Sequence, residues 1–239
     1  MNARADANES QFDRFASDYD AALDKGLSLT GDSKDFYAQG RIAWLKKRFS
    51  EVKFQPTTAL DFGCGTGGAT RWLLDAFGVQ LLLGVDPSEE SLSTARKDHA
   101  NLSTVTFETL DSMHGVGKSD FDFAFCNGVF HHIPVDEQAN AVSYVFARLR
   151  PGGMFAFWEN NPWNPGTRFV MSRIPFDRDA VMVWPGRARR LLDAVGFDVL
   201  KTDYLFIFPR PLSVMRVLEP WLCKVPLGGQ YLVLGRKPD

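Results

Sequence analysis

The sequence predicts an α/β fold, a three-layer sandwich in which helices cover both faces of a mostly parallel sheet. Three observations carry this. Short apolar runs alternate with helical patterns from residue 57 onward. A glycine-rich loop, GCGTGG at residues 63–68, joins the first of those runs to a helix. After the fifth run the alternation stops, and two strand-like segments separated by Pro-rich sequence end the chain.

From Ser10 to Leu23, Phe12, Phe15, Tyr19 and Leu23 recur at helical spacing, with Ser10 and Asp13 as a capping pair. A second helix is expected from about Ser33 to Phe49, with Phe36, Gly40, Trp44 and Leu45 on or near its buried side. Neither helix forms a core alone, so both are expected to pack on the strands and helices beyond residue 57. TALDF reads as a buried strand, GATRWLLDAFG as a helix stopped by Gly78, and QLLLGVD as a second strand. Ser88 is the expected N-cap of the helix after it. TVTFET and FDFAFCN are the third and fourth strands, VDEQANAVSYVFARLR a helix, and GGMFAFWEN the fifth strand. GRARRLLDAVG is helical, and FDVLKTDYLFIFP and GQYLVLGRK are the closing strands, partly antiparallel. The apolar stretch between those two could cap an apolar substrate or touch a membrane surface, but burial against the sheet is the expectation.

Bulk properties narrow the function classes. At 239 residues, 45% apolar and 23% charged, the chain has the composition of one large globular domain. A net charge of −2 gives no overall field for nucleic acid. Cys64, Cys126 and Cys223 are far apart and odd in number, and no His/Cys group has zinc-ligand spacing. Neither a disulfide framework nor a metal site is expected, and a reducing, cytoplasmic setting fits. The first residues carry several acids and no apolar core, unlike a signal peptide. No run of about 18 uncharged apolar residues exists to span a membrane.

The glycine loop satisfies two patterns at once. Gly63, Gly65 and Gly68 fit G-x-G-x-x-G, while Gly63, Gly65 and Gly67 fit the tighter G-x-G-x-G. Asp86 ends the next strand 23 residues after Gly63, where a carboxylate meets two ribose hydroxyls. NAD, FAD and S-adenosylmethionine all present a ribose there. Three features favour the last. Two helices precede the glycine strand, a closing hairpin replaces a second nucleotide-binding half, and Asp61 sits two residues before Gly63. That acid repels a pyrophosphate and suits a cationic amino-acid end. No G-K-[ST] follows, so the loop is not a P-loop.

LDFGCGTGGAT, GVDPSEESLSTAR, FDFAFCNGVFHHIP and ARLRPGGMFAFWE together resemble the class I S-adenosylmethionine-dependent methyltransferases. The nearest likeness is to the small-molecule branch that includes quinone-biosynthesis methyltransferases, over about residues 57–160. The resemblance implies a Rossmann-like seven-stranded sheet, mostly parallel with the last strand antiparallel, and methyl transfer that yields S-adenosylhomocysteine. It implies that Gly63, Gly65 and Gly67 approach the cofactor and that Asp61 lies near its amino-acid end. It also implies that Asp86 binds the ribose, with Pro87 and Ser88 beside the adenine, Asn127 beneath the methionine end, and Asp111 at the adenine amino group. Tyr19 resembles the tyrosine of an N-terminal segment that closes over the cofactor. On this basis residues 1–55 form a helical cap, 56–160 the cofactor-binding core, 161–190 a substrate lid, and 191–239 the closing helix and strands.

Transfer from a sulfonium is an in-line displacement that requires alignment, exclusion of water and, for some acceptors, removal of a proton. NGVFHHIP at the end of the fourth strand holds His131 and His132, either of which suits a proton acceptor. Adjacent residues in regular structure point apart, so one of the two is expected to serve, with His131 preferred. The long stretch after the fifth strand is rich in Pro, Asn, aromatics and Arg, as a substrate wall would be. Its candidates are Trp158, Trp163, Phe169 and Trp184 as apolar surfaces, and Arg168, Arg173 and Arg178 as anion contacts. Arg41, on the second helix, is within reach of a substrate anion, but a solvated helix face is the expectation. The expected function is O-methylation of a hydroxyl, carboxyl or other anionic small molecule. The alternatives are C-methylation of a quinone-like ring and a nicotinamide-dependent oxidoreductase.

Overall fold

The computed structural model describes residues 31–110, 120–174 and 180–239. Helix α1 (Lys34–Glu51) is followed by β1 (Thr58–Phe62), α2 (Thr70–Phe77), β2 (Leu81–Asp86), α3 (Glu89–Asp98) and β3 (Val105–Thr109). Then come β4 (Phe121–Asn127), α4 (Gln138–Arg148), β5 (Leu149–Asn160), α5 (Pro165–Met171) and α6 (Pro185–Val195). Strand β6 (Asp198–Leu205), a 3-10 segment (Arg210–Leu218), α7 (Glu219–Leu222) and β7 (Gln230–Arg236) end the chain.

The seven strands lie in the order β3-β2-β1-β4-β5-β7-β6. β7 runs antiparallel to both β5 and β6, and the other neighbouring pairs are parallel. This is the three-layer Rossmann-like sheet that the sequence predicts, with its last strand antiparallel. Strand order reverses between β1 and β4, so the crevice outside their carboxyl ends is the place where such a sheet receives ligands. After β5 the sheet closes with β7 rather than starting a second nucleotide-binding half.

The helices are bounded by local signals. Ser33 and Ser88 cap α1 and α3, their hydroxyls accepting from Phe36 N and Ser91 N at 3.2 Å. Gly78 ends α2 in the left-handed conformation and donates to Leu74 O at 2.8 Å. Alternation along β5 separates two cores. Phe155 and Phe157 pack under α4 and α6 with Val142, Val145 and Leu192. Ala156 and Trp158 pack on the other face with Trp44, Leu45 and Phe49 of α1.

A buried ionic knot fixes α1 on the sheet. Asp203 of β6 accepts from Trp44 Nε1 (2.9 Å), Arg48 Nε (2.6 Å) and Lys224 Nζ (2.6 Å). Burial raises the proton affinity of this carboxyl, but the bonds from Arg48, Lys224 and Trp44 prevail and hold it below its ordinary range. Gly40 lets α1 lie close against Phe206, since a Cβ there would lie 2.6 Å from that ring. The same helix carries Arg41 into the site.

One expectation is corrected here. The β6–β7 connection does not bury against the sheet: among the described residues, Val214 is 84% and Trp221 75% exposed. The connection runs as a 3-10 segment and a short helix whose described residues bury no side chain in the core. No described helix is long and apolar enough to cross a membrane.

Candidate active site

The glycine loop divides its labour. Gly63, Gly65 and Gly67 all adopt positive φ (73°, 52° and 77°), which favours glycine. A Cβ at Gly63 would lie 2.3 Å from Val129, and one at Gly67 would lie 2.9 Å from His99. Gly65 alone of the three faces open space. The absence of a side chain at Gly63 and Gly67 thus lets the turn after β4 and the C-cap of α3 close in on the loop. The neighbouring Gly68 also meets nothing; Gly84 makes the tight packing, where a Cβ would lie 2.6 Å from Phe107.

Asp86 ties the loop to the end of β2. Its Oδ2 accepts from Gly65 N at 2.8 Å and its Oδ1 from Ser88 N at 3.0 Å. Pro87 is exposed and Ser88 buried as the helix cap. Asp86 thus stands beside the open Gly65, where an extended diol finds its acceptor. Asp86→Ala is expected to weaken S-adenosylhomocysteine by about 1.5–3 kcal/mol, the scale of hydrogen bonds to a charged group. Calorimetry is the measurement, and an unchanged affinity would remove Asp86 from the site.

Two acceptors at the strand ends lack donors. Asp61 of β1 is 2% exposed, and its Oδ2 has no hydrogen-bond partner among the described residues. Burial, and then the nearby charge of Asp86, push its carboxyl up to about 7. Asn127 Oδ1, at the end of the neighbouring β4, is also buried without a partner among those residues. Buried acceptors are costly unless paired. Together with the open space at Gly65, they suit a ligand that brings N–H donors and positive charge, as a methionine-type ammonium does. The residues therefore fit the cofactor that the resemblance implies.

Beside this crevice lies a cavity of about 490 Å³, reached by both His131 and His132. The chain from Gly128 to Ile133 forms turns rather than a helix or strand. The two rings consequently meet with centroids 4.0 Å apart, and both line the cavity, contrary to the expectation that only one would face it. His131 sits on a buried carboxylate: its Nδ1 donates to Glu159 Oε2 at 2.7 Å. Glu159 is fully buried, and its Oε1 accepts from Phe130 N at 2.7 Å, so the acid also pins the turn. With Nδ1–H engaged, Nε2 carries the lone pair.

The cavity floor is a polar row across β5 and β7. Arg41 Nη1 donates to Gln230 Oε1 (2.9 Å), and Gln230 Nε2 to Asn160 Oδ1 (3.2 Å). Asn160 N donates to Glu159 Oε2 (3.3 Å), which accepts from His131. Arg41 lines the cavity, which corrects its placement on a solvated face.

The expected substrate wall is only partly there. Trp158 is fully buried in the core under α1, because alternation along β5 turns it away from Glu159. Trp163 is 61% exposed and packs edge-on against Trp184 at 5.1 Å, outside the cavity lining. Arg168 and Arg173 are exposed outside it too, with Arg173 over the Phe169 ring at 4.9 Å. The α5 residues that do line it include Thr167, Phe169 and Met171. Tyr19, Asp111 and Arg178 lie outside the described residues. Sequence reasoning missed Glu159, whose signal is an acid inside an otherwise apolar strand.

Residues 59–153 match the family described as "Methyltransferase domain". The chain is 30% identical over 132 residues to a trans-aconitate 2-methyltransferase of Sinorhizobium medicae, covering 55% of this chain and 49% of that protein. It is 34% identical over 110 residues to phosphoethanolamine N-methyltransferase 2 of Caenorhabditis elegans, covering 45% of this chain and 24% of that one. It therefore spans about half or less of the length of these relatives. In fold it resembles an S-adenosylmethionine dependent methyltransferase from Mesorhizobium loti, with a TM-score of 0.56 and 22% identity. That likeness covers 75% of this chain and 90% of the other.

Proposed function

We infer, from the match of residues 59–153 to the methyltransferase domain and the resemblance to the class I S-adenosylmethionine-dependent methyltransferases, that this chain transfers a methyl group to an oxygen atom of a small organic molecule. S-adenosylmethionine supplies an electrophilic methyl group on a positively charged sulfur and is converted to S-adenosylhomocysteine. Asp61 and Asn127 would hold its amino-acid end, Gly65 would receive it, and Asp86 would take its ribose. The acceptor would occupy the cavity of about 490 Å³ at His131.

The observation that carries the oxygen reading is the Glu159–His131 pair, 2.7 Å apart and buried against the cavity. A hydroxyl becomes a better nucleophile as it loses its proton. His131 Nε2 takes that proton, and Glu159 stabilises the imidazolium that results. The relatives by name act on trans-aconitate and phosphoethanolamine, both small charged molecules, which supports a small-molecule acceptor.

The test is incubation with methyl-labelled S-adenosylmethionine and fractionated metabolite pools, with mass spectrometry of the products. An oxygen-bound labelled methyl group is expected. A carbon- or nitrogen-bound methyl, or no transfer from any pool, would overturn the reading. Thermal shift offers a parallel check: S-adenosylhomocysteine is expected to stabilise the protein and NADH to leave it unchanged.

A further inference from the structure

The turn that carries His131 is held from behind by groups the proton step does not use. A peptide unit is planar, so a residue's backbone is set once the units on either side of it are fixed. Both units around His131 are fixed. The one before it presents Phe130 O, which accepts from Gln138 Nε2 at 2.9 Å. The one after it presents His131 O, which accepts from Val181 N at 3.1 Å.

Gln138 begins α4 and is buried. Its Nε2 also donates to Ile133 O (3.2 Å), and its Oε1 accepts from Arg187 Nε (2.9 Å), so both ends of the amide are engaged. Arg187 stands in the first turn of α6, and its Nη2 donates to Val135 O at 3.1 Å. Helix α6 is in turn packed into the core through Ala188 and Leu192. On the other side, Phe130 N donates to the same carboxylate that accepts from His131 Nδ1. The turn is therefore gripped between β5 and a brace built from α4 and residues 181–187. Val181 and Arg187 belong to the stretch expected to form a substrate lid, which gives that stretch a second task. Bonds in a buried network stiffen one another, and removing this one amide leaves two carbonyls without their donor.

We propose that Gln138, braced by Arg187, is the positioning residue that holds the His131–Glu159 pair in place for proton transfer. This rests on the reading of His131 as the proton acceptor and adds what fixes its ring.

The Nδ1 proton of His131 reports on the pair without methyl transfer. Nuclear magnetic resonance is run on protein with isotope-labelled histidine, saturated with S-adenosylhomocysteine. The native protein is expected to show a downfield, slowly exchanging ring proton that is absent from His131→Ala. Gln138→Met keeps the side-chain length and is expected to speed that exchange roughly 10- to 100-fold, the scale of two lost hydrogen bonds. Arg187→Met leaves Gln138 without its anchor and is expected to speed it roughly three- to tenfold. On the acceptor found by labelled methyl transfer, Gln138→Met should lower kcat roughly tenfold with KM unchanged.

No such proton in the native protein would overturn the proposal. So would an unchanged exchange rate in Gln138→Met beside a lowered melting temperature, the mark of a purely structural role. If Gln138→Met does not fold, Arg187→Met decides, and an unchanged rate there overturns the proposal. Full turnover by Gln138→Met with turnover lost in His131→Ala would overturn it as well. Full turnover by both, with the exchange still accelerated in Gln138→Met, would sink the proton role of His131 and leave the positioning of the pair standing.

Discussion

His131→Ala is expected to lower kcat by roughly 10²- to 10³-fold on the acceptor found by labelled methyl transfer, the usual scale of a lost general base. S-adenosylhomocysteine affinity should change by less than about threefold, because the imidazole stands on the acceptor side of the cleft. The size follows from geometry. Nδ1 is committed to Glu159 at 2.7 Å, the ring is 4% exposed, and the turn that carries it is pinned through Phe130 N to the same carboxylate. The imidazole cannot rotate away, so its proton-accepting nitrogen is pre-positioned. Glu159→Gln keeps a hydrogen-bond acceptor but removes the charge that stabilises the imidazolium. It is expected to lower kcat roughly tenfold or more with KM unchanged, the split that marks an interaction made in the transition state. Steady-state kinetics checks both, and full turnover by His131→Ala would end the oxygen mechanism.

The second large effect has two signs. Asp61→Asn is expected to weaken S-adenosylmethionine by about 2–5 kcal/mol, the range for truncating one side of a buried charge pair. The same change should stabilise the ligand-free protein at pH 8. Burial, with the Asp86 charge, raises the Asp61 carboxyl from 3.8 to about 7, so the fold prefers its neutral form. That preference contributes stability fully present below about pH 4 and lost as pH rises to about 7. Above that range the ionised acid costs up to about 4 kcal/mol, which asparagine removes. A cationic ligand reverses the balance by favouring the carboxylate, so its affinity should rise with pH between about 6 and 8 in the native protein and stay flat in the variant. Melting temperatures at pH 5 and pH 8, with calorimetry across that range, check both signs. A variant that binds as tightly as the native protein at pH 8 would detach Asp61 from the ligand.

Much of the cofactor side was legible because its signals are local. Ser88 caps its helix three residues ahead, and Gly78 ends α2 on its own turn. Gly63, Gly65 and Gly67 show positive φ as the alternating pattern demands. Asp86 reaches Gly65 from the next strand of one βαβ unit. The acceptor side was harder. Arg41 and Gln230 stand 189 residues apart, and His131 and Glu159 stand 28 apart. Nothing in either neighbourhood names the other.

Trp158 shows why facing was misread. A strand covered on both sides is apolar throughout, so its period-2 pattern carries no sign of which residues face which layer. In FWE, Phe157 packs under α4, Trp158 under α1, and Glu159 returns to the first face beneath His131. An exposed aromatic and a buried one look alike in such a run.

By itself, then, the sequence determined the order of strands and helices, the glycine turn, and the acids that flank it. These depend on backbone conformation and short-range hydrogen bonds, which residue type dictates directly. Only the tertiary structure decided that His131 meets Glu159, that Arg41 lines the cavity, and that Gly63 and Gly67 leave room for Val129 and His99. Those depend on pairing between distant strands and on a helix anchored across the sheet, where packing rather than residue type sets what each side chain meets.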